Sequence, residues 1–347
     1  MKFQQNKTFS HQLINLHASS GMCASFLAYG ATLYSLLVPD RHGNLIDVVL
    51  GYRDLSRYQK NPDYFGATIG RNANRIKGGQ FELNGASYQL AKNDGENNLH
   101  SNPGGFDKRL WQAEIFARDY VKGVRFSLVS PAGDCGFPGN LRACVTYTLH
   151  DDNSLEVLYH ATCDNDTLFN PTNHAYFNLD GEASGNAMNQ LLWINASRYT
   201  PVDENLIPTG EIAPLDGTPL DFRCEKAIQK DLKAEFESMR AARGFDHNYV
   251  LNDPGKLRPV ATLRSELNGI KTTLITDRPG LQFYCGGVLD GSAIGKSGKP
   301  YQQYAGVCLE TQTFPDAIHH RNFPSPILKS GAVFETHTIF HFETLLI

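Results

Sequence analysis

The 347-residue chain has no run approaching the roughly 18 apolar residues that a helix needs to cross a bilayer, so no membrane partner is expected. Its opening segment, MKFQQNKTFSHQLINLHASSG, lacks the apolar centre of a secretory signal, which points to a soluble, cytoplasmic protein. An excess of one charge is missing too: 32 basic residues face 36 acidic ones, net −4, without a dense Lys/Arg cluster. Phosphate backbones demand such a cluster, so nucleic acid is excluded as a partner. The seven cysteines form no C-x-x-C pair, and their odd number argues against a disulfide framework. Free thiols packed as small apolar residues are expected.

Metal and cofactor signatures are also absent. There is no H-E-x-x-H and no zinc-type Cys/His spacing. His337 and His341, in ETHTIFHFE, alternate with Thr and Phe in strand fashion, and four residues along a strand span about 13 Å, too far for one ion. His319 and His320 are adjacent and are expected to point apart. No Gly-rich loop follows a strand into a helix, and no G-x-S-x-G supports a serine nucleophile. The sequence therefore predicts no metal and no cofactor, and leaves acid–base chemistry by His, Asp and Glu.

What the chain does have is period-two alternation. In LRACVTYTLH (141–150), Leu141, Ala143, Val145, Tyr147 and Leu149 make one face and polar residues most of the other, which predicts a half-buried strand. LEVLYHATC (155–163) follows a DDNS turn and completes a hairpin. Similar segments begin near 124, 260, 270 and 281, and FELNGASYQL carries an Asn-Gly turn between alternating runs. Helical spacing is convincing only over KAEFESMRAAR (233–243). With 31 Gly and 17 Pro as punctuation, this predicts an all-β fold, a large antiparallel sandwich or barrel with few short helices. No linker or internal repeat marks a boundary, so one domain over 1–347 is expected.

Five segments concentrate hydrogen-bonding groups beside aromatics or tight turns: GRNANRIKGG (70–79), NNLHSNPGGFDKRLW (97–111), FNPTNHAYFNL (169–179), GFDHNYVL (244–251) and CLETQTFPDA (308–317). The last sets Glu310 on an apolar strand, where desolvation raises a carboxylate's pKa and makes it a stronger base. In this order and spacing the five segments closely resemble the aldose 1-epimerase (mutarotase) family, over essentially the whole chain. The resemblance implies a galactose mutarotase-like β-sandwich and an aldohexose substrate, D-galactose and also D-glucose, interconverted between anomers without cofactor.

It also implies site residues. His174 takes the place of the acid that protonates the ring oxygen, Glu310 that of the base on the C1 hydroxyl, and His100 that of a second histidine near the ring oxygen. Asn74, Arg75, Asp246 and Gln282 take the places of sugar-binding groups. One departure is local: Ser101 and Asn102 stand where the family usually carries two glycines after the histidine of N-x-L-H. Trp111 and Phe283 are read as core residues at least as readily as sugar platforms. Two alternatives are a binding module without turnover and an epimerase of phosphorylated hexoses, for which Lys108 and Arg109 are the candidate cations. The sequence leaves open whether the protein is a monomer or a dimer.

Overall fold

The computed structural model describes residues 12–118 and 121–345. Alternation becomes strand as predicted: Leu141–His150 buries Leu141, Ala143, Val145, Tyr147 and Leu149, and its partner Ser154–Cys163 sets Leu155 opposite Leu149. At the Asn-Gly of FELNGASYQL, Asn84 and Gly85 take φ of 52° and 77°, the two positive values that a tight two-residue hairpin turn demands.

Nine strands form a large sheet, in the spatial order Gln112–Arg118, Val121–Ser130, Leu141–His150, Ser154–Cys163, Val333–Thr344, Ile270–Thr276, Arg258–Arg264, Leu191–Ile194 and Lys226–Ala227. A six-stranded sheet runs Tyr176–Phe177, Val307–Gln312, Gly280–Tyr284, Asp246–Leu251, Ala196–Thr200 and Ala213–Pro214. Both sheets contribute to one apolar core, Phe126 and Tyr147 from the first, Tyr249, Leu281, Phe283 and Leu309 from the second. This is the all-β sandwich architecture. Trp111 and Phe283 are core residues, and the Trp111 indole donates to the Phe106 carbonyl at 3.1 Å.

Among the described residues there is one α-helix, Glu237–Ala242, shorter at its start than its sequence spacing predicts. Phe236 stays extended (φ −132°, ψ 125°) with no side-chain cap, and its ring lies 6.4 Å from that of Tyr199. Packing of that aromatic overrides the local helical pattern. Another departure concerns His319 and His320. They do not point apart, because Ala317–His319 is a 3-10 turn rather than a strand, and both rings face the buried Asp316 at 2.6 and 3.4 Å.

The strands Gly280–Tyr284 and Val307–Gln312 are buried on both faces, and this places polar chemistry inside the fold. Period two sends Leu281, Phe283 and Leu309 into the main core, and Gln282, Cys308 and Glu310 to the opposite side. Against that side lies the segment around His174, held at Asn170. The Asn170 carboxamide imitates a strand partner: Nδ2 donates to the Thr313 carbonyl at 3.2 Å, and Oδ1 accepts from the Thr313 N–H at 2.8 Å. The same oxygen accepts from the buried Arg278 guanidinium. Its backbone exchanges hydrogen bonds of 2.8 Å with Arg71 and Ala73, so one residue ties three segments together. Asn170→Ala would leave these buried groups unpaired, and we expect it to lower unfolding stability by about 2–4 kcal/mol. Chemical denaturation checks this; a loss below about 0.5 kcal/mol would show the clamp to be idle.

Candidate active site

The seven site residues predicted from sequence converge. On the six-stranded sheet, Gln282 sits opposite Glu310, and Gln282 Nε2 donates to Asp246 Oδ1 at 2.6 Å across the neighbouring strand pair. His174 arrives on the adjoining segment. Thr172 and Asn173 pair with Ile69 and Thr68, the His174 N–H donates to the Ala67 carbonyl, and the His174 carbonyl accepts from Gly66 N–H. Gly66 is required there: its φ is +64°, and an added Cβ would lie 1.9 Å from the Leu33 carbonyl oxygen. This seats His174 Nε2 3.7 Å from Glu310 Oε1, with both side chains almost completely buried.

The other half of the site is a short ribbon in which Arg75 pairs with Leu99. It brings Asn74 beside His100: the His100 N–H donates to the Asn74 carbonyl and His100 Nδ1 accepts from the Asn74 N–H, both at 3.1 Å. Accepting at Nδ1 fixes the neutral tautomer, so Nε2 of His100 carries the proton. The His100 ring meets that of His174 edge-on, centroids 5.3 Å apart. Arg75 bonds Asp94 at 2.7 Å through Nε and approaches Asp246 at 3.9 Å through Nη1.

Four side chains around this site hold left-handed backbone angles although none is glycine: Tyr64 (59°), Asn74 (60°), His100 (57°) and Ser101 (58°). Such angles cost free energy in residues with a Cβ and persist where surrounding contacts fix them. Ser101 shows the compensation: its hydroxyl accepts from the Asn72 N–H at 2.9 Å and donates to the Asn72 carbonyl at 3.0 Å. Asn102 donates to Asp107 at 3.1 Å. The polar residues that replace the expected glycines thus hold the loop by side-chain bonds.

Electrostatics divide the two central groups. Burial pushes the Glu310 carboxyl well above the usual range, and the nearby Asp246 carboxylate pushes it further, with Arg75 opposing. Burial lowers His174 to about 4 and takes His100 well below its ordinary value. Asp246 is raised, again by burial, with Arg75 and Gln282 opposing. When the His174–Glu310 pair holds one proton, burial favours it on the carboxyl over the imidazole.

Three nearby residues escaped the sequence reading. Asp94 binds Arg75, and the Tyr64 ring lies 4.7 Å from His100 and 5.5 Å from His174. Cys308 Sγ lies 3.6 Å from His174 Nδ1. The Cys308 thiol is fully buried and its pKa is raised by burial, so it stays protonated and donates to Nδ1, leaving the neutral imidazole with its proton on Nε2. Period two along the strand could have flagged Cys308, since it shares the face of Glu310; nothing local marks Tyr64 or Asp94. The ligand atoms of His174, Cys308 and Glu310 all lie within 4.8 Å of one another, a grouping able to hold a metal ion.

The profile of the aldose 1-epimerase family matches residues 12–341. The galactose mutarotase of Bos taurus is 43% identical over 325 residues, covering 94% of this chain and 92% of that protein. Among solved structures, the GalM/aldose epimerase homologue from C. elegans superposes with a TM-score of 0.88 at 32% identity, covering 96% of this chain and 99% of the other. The galactose 1-epimerase from Lactobacillus acidophilus NCFM gives 0.87 at 30% identity, covering 99% and 98%. A match that runs the length of the chain, in sequence and in fold alike, places this protein in the aldose 1-epimerase family.

Proposed function

We propose that this protein is a galactose mutarotase, an isomerase that interconverts the α and β anomers of D-galactose and also accepts D-glucose. The observation that carries the mechanism is the 3.7 Å separation of His174 Nε2 and Glu310 Oε1. The ring oxygen and the anomeric hydroxyl are both bonded to C1, so an acid and a base side by side can reach both at once.

Ring opening moves two protons and breaks one bond. Glu310, as the carboxylate, takes the anomeric hydroxyl proton. The C1–O5 electron pair moves onto the ring oxygen, which takes a proton from His174 as imidazolium, and the aldehyde forms. Rotation about C1–C2 and the reverse steps close the other anomer. The one-proton pair starts the step ionic and ends it neutral. Burial raises the carboxyl and lowers the imidazole, so both transfers run toward the arrangement the dry site prefers. The anomeric hydroxyl, donating to Glu310, supports the ionic form at the start. His100 Nε2–H is a second donor toward the ring oxygen, and Arg75, Asp246, Gln282 and Asn74 hold the sugar hydroxyls.

The phosphorylated-hexose reading loses its cations. Lys108 is 2.7 Å from the buried Asp107 carboxylate, and Arg109 is 2.7 Å from Asp134. A binding module without turnover has no feature here in its favour, since His174 and Glu310, the proposed acid and base, are both present. A cytoplasmic setting and a single domain over the chain complete the proposal; the seven cysteines are free thiols, as suits a reducing compartment. No helix among the described residues is long and apolar enough to cross a membrane.

Polarimetry on fresh α-D-galactose tests the function: mutarotation should accelerate with galactose and glucose and not with hexose 6-phosphate. Glu310→Gln should cut turnover by at least about 10² while galactose still binds. A near-normal rate would exclude Glu310 as the base and point to Asp246. In the parent enzyme, kcat/KM should be bell-shaped, falling on the acid side as the pair takes up a second proton and on the alkaline side as it loses the shared one.

Stability gives an independent readout. Folding raises the Glu310 pKa from its ordinary 4.5, so its contribution is full below pH 4.5 and is lost as pH rises through the folded value. Glu310→Gln removes that loss, and its melting temperature should exceed the parent's by a margin that widens toward alkaline pH. His174, lowered from 6.5 to about 4, works in the opposite sense: its contribution is present above pH 6.5 and is lost as pH falls toward 4. His174→Asn should flatten the parent's decline in melting temperature over that window.

A further inference from the structure

The ring-opening chemistry needs His174 and Glu310, but it does not account for a third group with a strong chemistry of its own, the Cys308 sulfur at the same point. We propose that His174, Cys308 and Glu310 form a binding site for a thiophilic divalent cation of the Zn2+ type, and that the ion inhibits the enzyme by taking Glu310 as a ligand and His174 at Nδ1, so that neither the free carboxylate nor the imidazolium is available. The inhibitory consequence rests on the catalytic reading above; the binding of the ion does not.

The geometry is near that of a tetrahedral site. With Zn–S of about 2.3 Å and Zn–N of about 2.0–2.1 Å, the N···S edge of a zinc tetrahedron is about 3.5 Å. The observed His174 Nδ1 to Cys308 Sγ distance is 3.6 Å. Glu310 completes the group, with each residue offering one ligand atom and all three within 4.8 Å. Closing the carboxylate onto the ion breaks no existing bond at Glu310 Oε2, which has no hydrogen-bond partner. Coordination releases two protons to solvent, one from the Cys308 thiol and one from the Glu310 carboxyl, so that Glu310 binds as carboxylate. A sulfur, an imidazole and one carboxylate select Zn2+ or Co2+ over Mg2+ and Ca2+, which want oxygen cages. Three protein ligands leave a fourth position for water, as in open zinc sites.

A second Cys–His pair supplies an internal control. His17 Nδ1 lies 3.0 Å from Cys23 Sγ on an outer strand pair, at more exposed positions, with no third ligand grouped with it among the described residues.

The test uses metal-free whole protein. Co2+ is titrated while the near-ultraviolet thiolate-to-cobalt absorption is followed, and Zn2+ or Mg2+ is titrated while mutarotation of α-D-galactose is followed by polarimetry. We expect one Co2+ per chain, displaced by Zn2+ and by excess galactose. Zn2+ inhibition should be competitive with galactose and reversed by chelator, and Mg2+ should have no effect. In Cys308→Ser, Zn2+ inhibition, measured against that variant's own metal-free rate, should weaken by at least about ten-fold. Cys23→Ser should behave like the parent. A cobalt band that survives Cys308→Ser, vanishes in Cys23→Ser, or ignores galactose in the parent protein overturns the proposal. So does activity that chelator abolishes and Zn2+ restores, since the ion would then be a required cofactor. A galactose-sensitive cobalt band in a protein without mutarotation would uphold the metal site and sink the catalytic reading instead, so the two failures are distinguishable.

Discussion

The site depends on one constraint: an imidazole and a carboxyl are held 3.7 Å apart where almost no water reaches either. In water the pair would be ionic, with the proton on the imidazole. Burial penalises both charged forms, raising Glu310 and lowering His174, so their proton affinities cross. Two ordinary side chains thereby become a strong base and a strong acid at the same pH. That is enough for a reaction whose only demands are one proton taken and one proton given.

Holding such a pair costs stability, and the surrounding structure shows how the cost is met. Glu310 is fixed by strand pairing opposite Gln282, while His174 lies on an irregular segment that needs separate anchors. Asn170 anchors that segment with its carboxamide, Gly66 by a close backbone approach, and Cys308 by its thiol on the imidazole. None of these groups has a proton-transfer role in the proposed reaction. They restrict where the imidazole can go, which is what orientation-based catalysis requires.

The left-handed backbone at Tyr64, Asn74, His100 and Ser101 belongs to the same logic. A regular strand would have carried these side chains to alternate faces. Turning the backbone lets two paired segments deliver a main-chain donor and an imidazole to the same spot, as Asn74 and His100 do for each other. Ser101 and Asn102 show that glycine is not the only solution at such a turn, provided the side chain finds backbone or carboxylate partners.

Much of this was legible in the sequence. Period two determined the strands, down to both bounds of Leu141–His150 and the start of Ile270–Thr276, because a half-buried strand must alternate. The five motif segments carry His174, Glu310, His100, Asn74, Arg75 and Asp246, the family resemblance adds Gln282, and the fold brings all seven together. Tertiary structure alone decided the rest. The helix lost its first turn to the packing of Phe236, and His319 and His320 converged on Asp316 where adjacency suggested divergence. Cys308, Tyr64 and Asp94 joined the site through contacts between segments far apart in the chain. The proton affinities of His174 and Glu310 are of this second kind too, since they are set by the water excluded around them. Local pattern encodes which face a side chain takes; only the assembled fold determines which other faces surround it, and hence its electrostatics.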